Sequence, residues 1–185
     1  MEILPLAEVL ADRRLQQKLQ RDIRDGTIIL YPTDTVYGLG CDATNTVAVR
    51  ALRLLKGSDQ LFSVIAPSLQ WISEHMEPVD KKFLGMLPGP VTLILKKKNP
   101  LFLLDCSPTD GLGVRIPNHV LTPIIQHADV PFVSTSANLH GHPPITGLAR
   151  LPNQLKPDVF IDGGTLFSTP STIWDLSGSA PKKIR

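Results

Sequence analysis

Polar residues, most of them bearing a hydroxyl or an amide, gather where short apolar runs end. Thr33, Asp34, Thr35 and Tyr37 follow the run TIILY (27–31) in YPTDTVYGLG. Ser134, Thr135, Ser136 and Asn138 follow PFV (131–133), and Ser171 and Thr172 open a late apolar run. Such groups donate hydrogen bonds at modest desolvation cost, and nearby glycines expose backbone N–H groups, which suits a phosphate or an amino acid. Arg115, inside GVRIP, carries a fork of donors that matches a carboxylate or phosphate. Lys56, at a helix C-terminus, can reach over a neighbouring loop. Each group also has an ordinary reading. Thr33 and Thr35 can close a turn after Pro32, Ser136 and Asn138 can form a local side-chain turn, Arg115 can be a structural ion-pair residue, and Lys56 can be a helix-end cation.

Other chemistries lack their motifs. The chain has no GxxxxGK[ST], GxGxxG or GxSxG, and no Ser–His–Asp set can be assembled. The two cysteines, Cys41 and Cys106, make no disulfide framework and no zinc spacing; Cys41 reads as a small core residue. His119, His127, His140 and His142 read as surface or loop residues, and no metal site is expected. Trp71 and Trp174 read as packing residues.

The elements that must position these groups follow from periodicity. Leu15, Leu19 and Ile23 mark an amphipathic helix closed by Gly26. TIILY is a buried strand. Val47, Ala51 and Leu54 or Leu55 mark a helix ending near Lys56, with Gly57 beyond it. A strand at 61–66 precedes a helix capped by Ser68, with Leu69, Ile72 and Met76 on one face. A further helix at 79–86 leads to Pro88-Gly89-Pro90. Strands follow at 91–95 and 113–116, then a helix at 121–128 and a strand at 131–135. Residues 140–155 read as a surface loop with a helical turn, and 159–161, 172–176 and 182–185 as late strands. Irregular alternation of strands and helices predicts one α/β domain over 1–185, built on a twisted mixed sheet with flanking helices.

Composition agrees with a folded domain. Of 185 residues, 42% are apolar and 19% charged, which argues against disorder. A net charge of +2 does not by itself imply nucleic acid but allows a local cationic cleft. Sparse cysteine points to a reducing cytosol. Glu2, Glu8 and Asp12 break the N-terminal stretch, so no signal peptide is expected, and no window is apolar enough to span a membrane.

The motifs YPTDTVYGLGCDA, LLKG, LPGPVTLIL, GVRIPNH, STSAN with HG after it, and PSTIWDL occur in that order over 27–176. In this the chain resembles the Sua5/YciO/YrdC family. The resemblance implies a YrdC-like fold with a concave, positively charged cavity. It implies a nucleotidyltransferase, an L-threonylcarbamoyladenylate synthase that condenses L-threonine, bicarbonate and ATP to threonylcarbamoyl-AMP and pyrophosphate. A partner transferase would then modify adenosine 37 of tRNA. Mg²⁺ would accompany ATP, the location would be cytoplasmic, and the chain a monomer or weak dimer. Family members have also been described as binding double-stranded RNA.

Carried over by position, the resemblance assigns threonine binding to Thr33, Thr35, Tyr37, Arg115 and Ser171. It assigns the nucleotide to Lys56, Ser58, Ser134, Ser136, Asn138, Thr172 and Arg185. Lys56, Ser136 and Asn138 would carry catalysis, by positioning and electrostatics rather than by a covalent nucleophile. One departure stands out: the family's synthases usually read Lys-x-Arg, and here Ser58 stands in the arginine's place. Arg53, one turn before Lys56, is the nearby cation available to compensate. The alternatives are a divergent YciO-like paralogue, and a module that binds tRNA or double-stranded RNA without synthase activity. In the second, Lys96, Lys97, Lys98, Lys182 and Lys183 would supply phosphate contacts, unless the lysine run is a solvated strand end.

Overall fold

The computed structural model describes residues 1–139 and 141–185, so His140 lies outside the described residues. The order of elements is β1 (Glu2–Pro5), α1 (Leu6–Ala11), α2 (Arg13–Arg24), β2 (Ile29–Tyr31), β3 (Gly38–Gly40), α3 (Thr46–Lys56) and β4 (Ser63–Ile65). Then come α4 (Leu69–His75), α5 (Lys81–Leu84), β5 (Val91–Lys96), β6 (Gly111–Arg115), α6 (Thr122–Gln126) and β7 (Phe132–Ser136). A 3₁₀ turn at Leu148–Arg150 precedes β8 (Val159–Asp162), β9 (Thr172–Asp175) and β10 (Lys182–Lys183).

The strands form a mixed sheet in the order β1-β8-β2-β3-β7-β4-β6-β5-β9-β10. The pairs β1–β8, β2–β8, β4–β6 and β5–β9 are parallel, and the others are antiparallel. Three elements depart from the sequence expectation. β1 and α1 lie in a stretch for which no element was expected, and β3 occupies a GLG stretch that reads as a turn. β3 is a strand because β2 and β7 flank it and supply its partners. Its glycines are required there. A Cβ on Gly38 would stand 2.8 Å from the Tyr31 ring, and one on Gly40 would run into the Val133 carbonyl and the Phe132 ring.

The period of two along each strand divides the sheet into unlike faces. Val64, Leu93, Val114 and Val133 point to one face and pack with Val49 and Leu52 of α3 and Ile72 of α4 in the larger core. The other face is apolar only at one end, where Ile29, Tyr31, Ile65 and Phe132 pack under Leu19 and Ile23 of α2 and Ile124 and Ile125 of α6. Further along the same face the strands present Ser63, Gly113, Arg115, Ser134 and Ser136. Small and polar residues there leave an open floor instead of a core.

α3 places the cation next to this floor. Asn45 caps its N-terminus by accepting from the Ala48 N–H at 3.1 Å, and Gly57, at φ 60°, ends it in the left-handed conformation. Its buried stripe runs Ala48, Val49, Leu52, Lys56, so helical spacing carries the lysine inward with the apolar residues.

Candidate active site

A cavity of about 340 Å³ opens over the polar floor. Widely separated parts of the chain line it: residues of the 35–38, 60–63, 134–144 and 170–173 stretches, with Thr92, Arg115 and Arg185. Of the residues assigned from sequence, the structure brings Thr35, Tyr37, Arg115, Ser134, Ser136, Asn138, Ser171 and Arg185 to its walls. Thr33, Lys56, Ser58 and Thr172 are not among the lining residues.

Thr33 lies one layer behind. Its hydroxyl donates to the Val36 carbonyl at 2.7 Å, accepts from the Thr35 N–H at 3.1 Å and meets the Thr35 hydroxyl at 2.9 Å. It closes the turn and fixes Thr35. The Tyr37 hydroxyl donates to the Gly164 carbonyl at 2.7 Å and accepts from the Gly163 N–H at 2.9 Å. Its ring packs on Phe160 in the larger core, 5.5 Å between centroids, and its polar end pins the β8–β9 connection.

Arg115 is 7% exposed and ion-paired with Asp34, Nη2 to Oδ1 at 2.7 Å. The second Asp34 oxygen accepts from the Asn118 N–H at 2.8 Å. Arg115 also reaches the Thr35 hydroxyl at 3.3 Å. Its buried Nε has no hydrogen-bond partner among the described residues. An unpartnered buried N–H costs about 1–3 kcal/mol, so this guanidinium is incomplete without a further acceptor. Asp34 is thus a site residue that the sequence places in the polar cluster without giving it a role. Its signal was present, an acidic residue between two threonines at a strand end, but its partner lies 81 positions away.

The Ser136–Asn138 pair forms a closed network. Asn138 Oδ1 accepts from the Ser136 hydroxyl at 2.7 Å and from Lys56 Nζ at 3.1 Å. Asn138 Nδ2 donates to the carbonyls of Leu139 at 3.0 Å and His142 at 2.8 Å. Lys56 Nζ also donates to the Ser136 carbonyl at 2.6 Å. Burial lowers the Lys56 pKa to about 8. With two acceptors among the described residues for three N–H groups, the ammonium has a third donor to offer.

Ser171 meets Thr92 across β5 and β9, hydroxyl to hydroxyl, at 2.9 Å. Arg185 Nε donates to the Ser171 carbonyl at 2.9 Å. Burial and the nearby Arg115 charge push the Arg185 pKa down. Tyr31 lies fully buried beneath the floor and donates to the Ser134 hydroxyl at 2.9 Å; burial raises its pKa to about 12, so it stays a neutral donor.

Ser58 does not line the cavity, and its hydroxyl accepts from the Gln60 N–H at 3.2 Å. Arg53 does not replace the missing arginine as a cavity cation: it faces backbone carbonyls of the α3–β4 connection and of the 105–106 turn. A second cavity, about 560 Å³, shares Asn138 and Pro144 with the first and is walled by Leu139, Pro143, Ile145 and Pro152. Among the described residues no group of three His, Cys, Asp or Glu is placed to hold a metal. Among the described residues no helix is long and apolar enough to cross a membrane. Cys41 and Cys106 are buried, and burial raises both thiol pKa values, Cys106 to about 12.

The family model Sua5_yciO_yrdC, described as telomere recombination, matches residues 21–185. A threonylcarbamoyl-AMP synthase of Pyrococcus abyssi is 31% identical over 179 residues, covering 88% of this chain and 51% of that protein. One of Pseudoalteromonas atlantica is 30% identical over 173 residues, covering 89% of this chain and 92% of that protein. The crystal structure of P. abyssi Sua5 complexed with L-threonine matches with a TM-score of 0.84 at 26% identity, over 94% of this chain and 54% of that one. E. coli YciO matches with a TM-score of 0.80 at 27% identity, over 94% of this chain and 89% of that one. The chain therefore spans about half the length of its P. abyssi relatives and most of the length of the others.

Proposed function

The chain belongs to the Sua5/YciO/YrdC family, and from that premise we propose that it is a threonylcarbamoyl-AMP synthase using L-threonine, bicarbonate and ATP. The observation that carries the reading is the cavity itself: a hydroxyl-lined floor, a buried arginine with an unpartnered Nε, and a fold shared with a structure that holds L-threonine. Divergent chemistry and RNA binding without chemistry are not favoured, since the curated relatives carry the synthase name.

In this scheme the threonine amine takes up bicarbonate to give a carbamate and water. A carbamate oxygen then attacks the α-phosphorus of ATP, the bond to the bridging oxygen breaks, and its electron pair leaves on pyrophosphate. Arg115, held by Asp34, takes the threonine carboxylate or a phosphate through its free donors. Thr35 and Ser171 orient threonine, and Thr33 and Tyr37 hold that wall from behind. Lys56 and Arg185 face the triphosphate with Ser134 and Ser136, and Asn138 orients Lys56. The nucleoside occupies the proline-walled second cavity. Catalysis is positioning plus electrostatic stabilisation.

Mg²⁺ would enter with the triphosphate. The chain's own carboxylates do not build a cage for it, because Asp34, beside the cavity, is already engaged by Arg115 and the Asn118 N–H. We further propose one domain over 1–185, a cytoplasmic monomer or weak dimer, and a product consumed by a transferase acting on adenosine 37 of tRNA. The test is mass-spectrometric detection of threonylcarbamoyl-AMP carrying the label of ¹³C-bicarbonate. Its formation supports the reading, and its absence from folded protein that binds ATP and threonine defeats it.

A further inference from the structure

The connection from α3 to β4 forms one wall of the cavity through Gln60 and Leu61. It contains no regular secondary structure, and one side chain, that of Arg53, ties it to a second chain segment through several bonds. Arg53 Nη1 donates to the Gln60 carbonyl at 2.7 Å. Its Nε and Nη2 donate to the Asp105 carbonyl at 3.1 and 2.7 Å, and Nη2 also reaches the Cys106 carbonyl at 3.2 Å. The guanidinium lies over the ring of Phe62, 4.4 Å from its centroid. Phe62 is itself buried and donates its N–H to the Cys106 carbonyl at 2.9 Å. The Asp105 carboxylate is turned to Arg50 and Thr46 instead. A planar fork that spans carbonyls of two chain segments and stacks on a ring has no equivalent in a lysine.

We propose that Arg53 is a positioning residue for substrate selection. By clamping the α3–β4 connection onto the 105–106 turn it holds Gln60 and Leu61 against the cavity, and so sets the size of the amino-acid side chain the cavity accepts. The proposal rests on the synthase reading in taking that ligand to be an L-amino acid. It differs from a purely structural role in what it moves. Loosened packing alone lowers the amount of folded enzyme; a displaced wall changes the discrimination between amino acids.

The test compares Arg53→Lys and Leu61→Ala with the native chain. Arg53→Lys loses the clamp and keeps the charge. Leu61→Ala shortens the wall and keeps the clamp, and serves if Arg53→Lys does not fold. For both, the KM for L-threonine is expected to rise about tenfold with kcat within about twofold and the KM for ATP unchanged. Discrimination between L-threonine and the bulkier L-isoleucine or L-leucine is expected to narrow by about the same factor. Calorimetric titration of the amino acids without ATP keeps the two claims apart. A native chain that binds L-threonine yet releases no pyrophosphate defeats the synthase reading alone, and the Arg53 proposal is then decided by the amino-acid Kd values. Unchanged Kd and unchanged discrimination in the folded variants overturn the proposal. A native chain that binds no L-threonine overturns both.

Discussion

Lys56 and Lys97 are 3% and 2% exposed, and burial lowers the pKa of each. Their surroundings differ in one respect. Lys97 Nζ donates to the carbonyls of Pro100 at 2.8 Å, Phe102 at 2.9 Å and Ser107 at 3.0 Å, so all three of its N–H groups are taken. Among the described residues Lys56 Nζ has two acceptors, Ser136 O and Asn138 Oδ1, both belonging to cavity-lining residues. The first lysine is a tripod that ties the 99–107 turns to β5, and the second is a cation with a donor left for a ligand. Burial alone does not separate a structural lysine from a binding one; the count of satisfied donors does. Lys97 is thus neither the phosphate contact nor the solvated strand end that its sequence suggests.

The contrast makes opposite predictions for the two positions. Lys56→Ala is expected to lower kcat/KM for ATP-dependent pyrophosphate release by at least about 100-fold, through loss of a charge-assisted contact, with little change in thermal midpoint. Wild-type kinetics in that variant would place Lys56 with the structural lysines. Lys97→Met is expected to leave the KM values unchanged and to cost about 3 kcal/mol, because carbonyls lose a charged donor. Urea unfolding would show this, with a thermal midpoint lowered by roughly 6–12 °C. If instead KM for ATP rises and stability holds, the tripod assignment fails.

Asp34→Asn sharpens the comparison from the arginine side. It removes the charge that holds Arg115, so the KM for L-threonine is expected to rise about tenfold while Lys56-dependent ATP affinity stays within about twofold. The smallest effect is that of pH. The ordinary lysine value is 10.5 and the folded Lys56 value about 8. Between these the unfolded chain holds a proton that the folded chain has lost, so this group's contribution to stability rises with pH from about 8 to 10.5. Its attraction for phosphate falls over the same rise. The KM for ATP should climb above pH 8 in the native chain, and that inflection should be missing in Lys56→Ala.

The strand ends that line the cavity were legible because hydroxyls at the close of apolar runs have few core uses. The α3 helix and its Gly57 stop were legible from spacing. What escaped depended on distant partners. β3 reads as a glycine turn until β2 and β7 flank it. Lys97 reads as surface until the 100–107 carbonyls surround it. Asp34 acquires its role only where Arg115 meets it, and Arg53 only where the 105–106 turn comes within reach. Asn138 reads from sequence as a contact for substrate, and its amide oxygen and nitrogen engage Lys56, Ser136 and the loop after it.

Pyrophosphate release from ATP, measured with purified protein while L-threonine and bicarbonate are each withheld in turn, bears most directly on the central claim. Release that needs all three substrates is the predicted result, and it would show that the wall formed by Gln60 and Leu61 supports synthesis with Ser58 in the arginine's place. Release indifferent to threonine or bicarbonate, or no release from folded protein that binds ATP, would contradict it.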